Sequence, residues 1–293
     1  MILEFKVYHH SSILSSFPGG SYKYLQNVFT DVTKKRPVFA TIKRYDTHKG
    51  EQNMKWTEEY RINVHDTDLN GIVSASGILR YMQDTSNLHM AGEGPSYESL
   101  FADGNSFILS RISLSIYAPL HAHDVIKSQT WAVASRGVTY NRCFRIIRGE
   151  DIVAEATSVW ALLDMNAHRI RRVGEIPVHY SEDDPLELDL PARFRIPAEA
   201  KLSLMGERTV LYADVDQNGH MNNTHYPDIF CSYLPGIEHS RVISCMFSFV
   251  KEAPLGANVK MYCGEYDGAY YVRSVLPDGS VNAEAEILLE RVR

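Results

Sequence analysis

Asp66-Thr67-Asp68-Leu69-Asn70-Gly71 and Asp214-Val215-Asp216-Gln217-Asn218-Gly219 carry one pattern, Asp-x-Asp-x-Asn-Gly, 148 residues apart. Self-similarity at long range is the mark of a duplicated domain and fixes the architecture before any detail. Two further matches follow in the same order. Ala118-Pro119-Leu120 recurs as Ala253-Pro254-Leu255, and Ala154-Glu155-Ala156 as Ala283-Glu284-Ala285, at offsets of 135 and 129. A shrinking offset is what longer connections in the first copy would produce.

Both copies share a plan. A strand-like stretch, Trp56 to Val64 or Leu202 to Tyr212, leads into the Asp-rich turn. A helix is predicted next. In the second copy Asn222, Asn223 or Thr224 can cap it, Pro227 fits its first turn, and Tyr226, Ile229, Phe230, Tyr233 and Leu234 form its apolar stripe. Ile78, Leu79, Met82 and Thr85 are the weaker counterpart in the first copy. Strands fill the rest. Val281, Ala283, Ala285, Ile287 and Leu289 alternate with polar residues, and Arg148-Gly149-Glu150-Asp151 and Pro277-Asp278-Gly279-Ser280 read as hairpin turns. One long helix and an antiparallel run of strands per copy predict an α+β fold, a sheet wrapped around a central helix, twice over. The copies are expected at 54–176 and 201–293, with a Pro- and acid-rich linker at 177–200.

A chain of 293 residues suits two domains, and its 44% hydrophobic and 23% charged residues are ordinary for a globular protein. No apolar run reaches the roughly 20 residues of a membrane span. The net charge of −6 argues against general nucleic-acid binding. Cys143, Cys231, Cys245 and Cys263 are scattered, which argues against a disulfide framework or zinc site and for a reducing, cytoplasmic setting. Residues 1–53 stand apart. They hold eight basic and four acidic residues, so the remainder carries −10, and they show no helix or strand period. The expectation is that Met54 is the physiological start and 1–53 an N-terminal extension outside the native protein; a basic targeting peptide is the weaker reading.

The Asp-rich turns admit three readings. A calcium loop opens with this pattern but needs a Glu at its twelfth position, where Gly77 and His225 stand, and a helix before it where strands are predicted. A structural turn uses Asp and Asn to bond their own backbone and Gly for positive φ; this reading is preferred for the first copy. In the second copy the turn runs on into His220, so Asp216, Asn218 and His220 would line one side of an extended turn facing the helix start, whose free N–H groups suit a developing oxyanion. The first copy has Ile72 opposite His220. Chemistry is therefore expected only in the second.

Asp214-Val215-Asp216-Gln217-Asn218-Gly219-His220-Met221-Asn222-Asn223 resembles the active-site segment of the acyl-ACP thioesterases of plants and bacteria. The resemblance extends from about Met54 to Arg293 and implies tandem hotdog domains, curved antiparallel sheets each wrapping a central helix. It implies hydrolysis of fatty acyl-acyl-carrier-protein (acyl-ACP), releasing free fatty acid and ending elongation. Its catalytic residues would fall on Asp216, Asn218, His220 and, in Phe249-Val250-Lys251-Glu252, on Glu252. Many plant members have a Cys after that Glu; here Ala253 supplies no thiol.

On this resemblance Asp216 is general base or nucleophile, Glu252 helps activate water, His220 orients or shuttles protons, and Asn218 holds the carbonyl. The division between the two carboxylates stays open. The first copy would hold the acyl chain, with Phe107, Ile116 and Tyr117 on its strands. No cofactor or metal is expected. The partner is acyl-ACP, and a homodimer is left open. Because ACP is acidic, Arg142, Arg145, Arg148, Arg169, Arg171 and Arg172 are candidates for a basic docking surface. The competing readings are an acyl-CoA thioesterase on the same fold, and a non-enzymatic lipid- or calcium-binding module.

Overall fold

The structure is a computed structural model, and it describes residues 55–292. The expectations for 1–53 lie outside the described residues. Eleven strands form one antiparallel sheet. The first half contributes β1 (Trp56–Arg61), β2 (Asn105–Ile116), β3 (Val125–Arg136), β4 (Thr139–Arg148), β5 (Asp151–Asp164) and the short β6 (Arg169–Arg171). The second contributes β7 (Ser203–Thr209), β8 (Ser240–Phe249), β9 (Asn258–Tyr266), β10 (Ala269–Val275) and β11 (Val281–Arg291). The order β1-β3-β4-β5-β2-β8-β11-β10-β9-β7 reads the same inward from either edge, with β6 beside β5. The halves meet where β2 pairs β8, from Arg111–Ser248 to Ser115–Ser244.

The hydrogen bonds give the repeat its register. Val73 N donates to Leu120 O as Met221 N donates to Ala253 O, and His123 N bonds Ile62 O as Gly256 N bonds Val210 O. Leu120 therefore corresponds to Ala253, and the Ala-Pro-Leu match is displaced by two residues; backbone pairing, not residue identity, sets equivalence in such a turn. The Ala-Glu-Ala match holds, since Ala154 pairs Ile116 where Ala283 pairs Phe249. In this register Pro119 occupies the place of Glu252.

Helix α1 (Ala75–Glu93) is the long helix of the first half. Ser74 caps it by accepting from Gly77 N, Gly94-Pro95 ends it, and Ile78, Leu79, Met82 and Thr85 are all buried. A short α2 (Tyr97–Ala102) follows. The second half departs from expectation: α3 (Tyr226–Cys231) has six residues. After Cys231 the chain tightens, with Tyr233 N bonded to Phe230 O and Leu234 N to Cys231 O, and Pro235-Gly236 stops it. The apolar stripe nevertheless faces inward, because Tyr226, Phe230 and Leu234 are buried. Tyr226, Phe230, Phe247 and Phe249 pack as an aromatic group against β8. Full burial of a side chain such as Phe247 contributes about 1.5–3 kcal/mol.

One core runs through both halves, from Ile78, Met82, Leu114 and Phe144 to Phe230, Phe247, Met261 and Ile287. The segment between the halves is tethered rather than loose. Trp131 Nε1 donates to Asp184 O, Tyr180 Oη to Pro95 O, and Arg111 Nη1 to Ala192 O. Among the described residues no helix is long and apolar enough to cross a membrane.

Candidate active site

The two Asp-rich turns close identically. Asp68 N bonds Ile72 O and Gly71 N bonds Asp68 O; Asp216 N bonds His220 O and Gly219 N bonds Asp216 O. Gly71 at φ 70° and Gly219 at φ 77° make the positive-φ corner that only glycine takes without strain. In each turn the Asp carboxylate accepts the N–H two residues on, Asn70 to Asp68 and Asn218 to Asp216, both at 2.8 Å. The turns are thus compact hairpins, like the self-bonded structural turn expected for the first copy, and self-bonding by Asp explains why the acidic pattern appears twice.

What surrounds each turn differs. In the first half, Asp66 is buried and accepts from Tyr81 Oη at 2.7 Å and Arg80 Nη2 at 3.4 Å. In the second, Asp214 accepts from Arg208 Nη2 at 2.6 Å and Leu211 N at 2.8 Å. His220 projects Nδ1 to 3.4 Å from Glu252 Oε2, so these two distant residues do meet; the Glu252 side chain is 58% exposed. Asn218 Oδ1 accepts from Tyr97 Oη of the first half at 2.8 Å.

A cavity of about 510 Å³ joins the halves at this point. Its apolar wall comes from the first half, including Leu79, Met82, Met90, Phe107, Leu109 and Phe144. Asp216, Asn218 and Asn222 to Thr224 of the second half also line it, whereas His220 and Glu252 are outside its lining. Along α1 the lining runs from Leu79 to Met90, or ~16 Å at 1.5 Å per residue. Phe107 lines the cavity as expected. Ile116 instead sits in the core, and Tyr117 is exposed, its hydroxyl bonded to Glu155.

Two expectations about charge and dipole need correction. The helix start offers little to an oxyanion: α3 has only six residues, and Asn222 Oδ1 already accepts Thr224 N at 2.9 Å. Of the six arginines expected to form a basic surface, five are buried or paired with carboxylates, and Arg172 is exposed. Arg142 faces inward and is 7% exposed, because alternation along β4 turns it with Tyr140 and Phe144 toward α1. Arg145 is bonded to Glu155, Arg148 to Asp124, Arg169 to Glu175 and Arg171 to Asp164. Sequence reasoning also missed Tyr97. Its only local signal is the helix-capping Ser96 before it, which says nothing of a partner 121 positions away.

Two family descriptions match the chain: acyl-ACP thioesterase N-terminal domain over residues 53–178, and acyl-ACP thioesterase C-terminal domain over 198–289. Among solved structures, an acyl-ACP thioesterase from Bacteroides thetaiotaomicron is similar at 21% identity and TM-score 0.73, covering 81% of this chain and 98% of that one. The 12:0-ACP thioesterase from Umbellularia californica is similar at 16% identity and TM-score 0.69, covering 83% and 100%. These likenesses show a shared hotdog architecture. No curated protein sequence matches the chain.

Proposed function

The chain belongs to the acyl-ACP thioesterase family, whose reaction is hydrolysis of fatty acyl-ACP, and from that premise we propose that Asp216, Asn218, His220 and Glu252 carry out the hydrolysis, with the first half as acyl-binding domain and the second as catalytic domain. The observation that carries this reading is the shared cavity, with an apolar stretch from Leu79, Met82, Phe107, Leu109 and Phe144 on the first-half side and Asp216 and Asn218 on the other. An acyl chain lies along α1 and the sheet, and its thioester meets the turn.

Water adds to the thioester carbonyl carbon, its proton passes to Asp216, the C–S bond breaks, and the thiolate is reprotonated as fatty acid is released. Asn218 donates its amide N–H to the carbonyl oxygen as charge develops there. Tyr97 is a positioning residue: by donating to Asn218 Oδ1 it directs the amide nitrogen away from itself, toward the substrate. Glu252 acts through His220, holding the ring from its solvent side, and His220 passes protons between the turn and water. If Asp216 attacks directly, the same residues serve an acyl-enzyme, with water entering in the second step.

Both copies that the site needs are in one chain, so a homodimer is not required for the reaction. Four free thiols, three of them buried, suit a reducing compartment such as a bacterial cytoplasm. The decisive experiment is Asp216→Asn assayed on a graded panel of acyl-ACPs. A folded variant should lose about 10²–10⁴-fold in kcat; near-normal turnover would refute the assignment.

A further inference from the structure

The cavity that accepts the acyl chain contains a buried cation. Arg142 lines it at 7% exposure, among Leu79, Met82, Phe107 and Phe144. A saturated acyl chain gives such a group nothing, and burying a charge beside hydrocarbon is costly unless its donors are met. Arg142 Nη1 is satisfied, donating to His89 Nδ1 at 2.8 Å and Thr130 Oγ1 at 3.2 Å. The guanidinium carbon lies 5.4 Å from the centre of the Tyr180 ring, which also lines the cavity. A guanidinium has five N–H donors. Among the described residues no acceptor meets Nε or Nη2, so three donors are without a protein partner in a cavity lined by Leu79, Met82, Phe107 and Phe144 together with the polar Gln83, Ser86, Asn87 and Asn141.

The neighbours decide which acceptor fits. His89 is fully buried; its burial and the adjacent Arg142 charge push its pKa down, so it is a neutral acceptor toward Arg142. Its other nitrogen lies 2.9 Å from Glu93 Oε2, and Glu93 accepts Ser181 N at 2.8 Å. Although partial burial would raise it, the hydrogen bond from Ser181 N and the adjacent His89 ring hold the Glu93 carboxyl below its ordinary pKa, so it is ionised. The chain Arg142–His89–Glu93 is therefore electrically balanced without a ligand. What it lacks is hydrogen-bond acceptors, not negative charge.

Resting on the thioesterase reading above, we propose that Arg142 forms a polar subsite in the acyl cavity and that the enzyme selects acyl chains bearing a neutral oxygen, a hydroxyl or carbonyl, over saturated chains of the same length. The open guanidinium donors bond that oxygen, while the apolar wall takes the carbons on either side. A terminal carboxylate is disfavoured, since it would bring a second anion to a balanced cluster.

The test compares chain-matched acyl-ACPs: saturated, hydroxy- or oxo-substituted at graded carbons, and ω-carboxylated. The wild-type enzyme should favour one oxygenated position by about tenfold or more in kcat/KM, the worth of a hydrogen bond to a charged group. Arg142→Met should bring the oxygenated-to-saturated ratio down toward one, and Arg142→Lys, with one ammonium for the fork, should keep only part of it. The ratio is insensitive to the fraction of enzyme that folds. Saturated chains hydrolysed as well as or better than every oxygenated one by wild type would overturn the proposal, as would a preference that survives Arg142→Met. Hydrolysis of no acyl-ACP at all would instead overturn the thioesterase reading on which it rests.

Discussion

The two halves share strand order, turn geometry and even the Asx bond inside the turn, yet only the second carries an imidazole and a carboxylate beside that turn. The difference lies at two positions. Ile72 stands where the second half has His220, and in the hydrogen-bonded register Pro119 stands where it has Glu252. A turn that folds for backbone reasons is therefore common to both, while the ionisable pair above it belongs to one. Asp66 is held by Tyr81 and Arg80 much as its equivalent Asp214 is held by Arg208, but the first half's long helix walls the cavity where the second half's short one does not. On the proposed reading the two scaffolds divide the work, the second taking the chemistry and the first the acyl chain.

Exchanging residues between the halves breaks or sharpens this contrast. The largest effect should come from paired Asp→Asn changes. Asp216→Asn should cost about 10²–10⁴-fold in kcat, whereas Asp68→Asn, altering a carboxylate that accepts Asn70 N and Ile72 N, should mainly cost about 1 kcal/mol of stability. Equal losses of activity would erase the distinction. Next, His220→Ile, which gives the second half the first half's residue, should lower kcat by about 10²-fold or more with the fold intact by circular dichroism. The reverse change, Ile72→His, buries a polar ring at a site 8% exposed and should cost about 1–3 kcal/mol without creating a second centre, because Pro119 offers no carboxylate. New turnover in an Ile72→His, Asp216→Asn double variant would show the first half to be latent rather than silent.

Removing the Tyr97 hydroxyl tests the contact from one half to the other. Tyr97→Phe should reduce kcat by about 3–10-fold with little change in KM, in line with about 0.5–1.5 kcal/mol for a hydrogen bond. A rise in KM alone would assign Tyr97 to ground-state binding instead. The smallest effect concerns pH. Burial works to raise the Asp66 pKa, but the Tyr81 hydrogen bond and the His65 and Arg80 charges hold it below the ordinary value. A depressed folded pKa means that this stabilisation is present above the unfolded value near pH 4 and is lost as pH falls through the folded one. Asp66→Asn should therefore weaken the decline in urea midpoint between roughly pH 4 and pH 2. An unchanged decline would assign acid sensitivity to other carboxylates.

Much of this was legible in the chain. The turns announced themselves because Asp, Asn and Gly are each required by a local bond or a positive φ. The α1 stripe and the alternation of β11 are equally local, since period follows from backbone geometry. The second helix was overread: apolar spacing from Tyr226 to Leu234 specifies a buried face, but not that α3 continues past Cys231. The Ala-Pro-Leu match misled because identity in a three-residue string carries no register. Arg142 was read as surface because an arginine's usual place is in water, and only its strand's orientation against α1 turns it inward.

By itself the sequence determined the duplication, the two sheet-and-helix units, the Asp216-Asn218-His220 turn and the asymmetry at Ile72, all of which depend on residues close in the chain. Only the tertiary structure decided that Tyr97 holds Asn218, that His220 meets Glu252, and that a balanced Arg142–His89–Glu93 cluster lies in the cavity wall. The reason is physical. Local bonds are encoded by spacing, whereas contacts between halves arise when two sheets join at β2 and β8 and bring together groups that no periodicity relates.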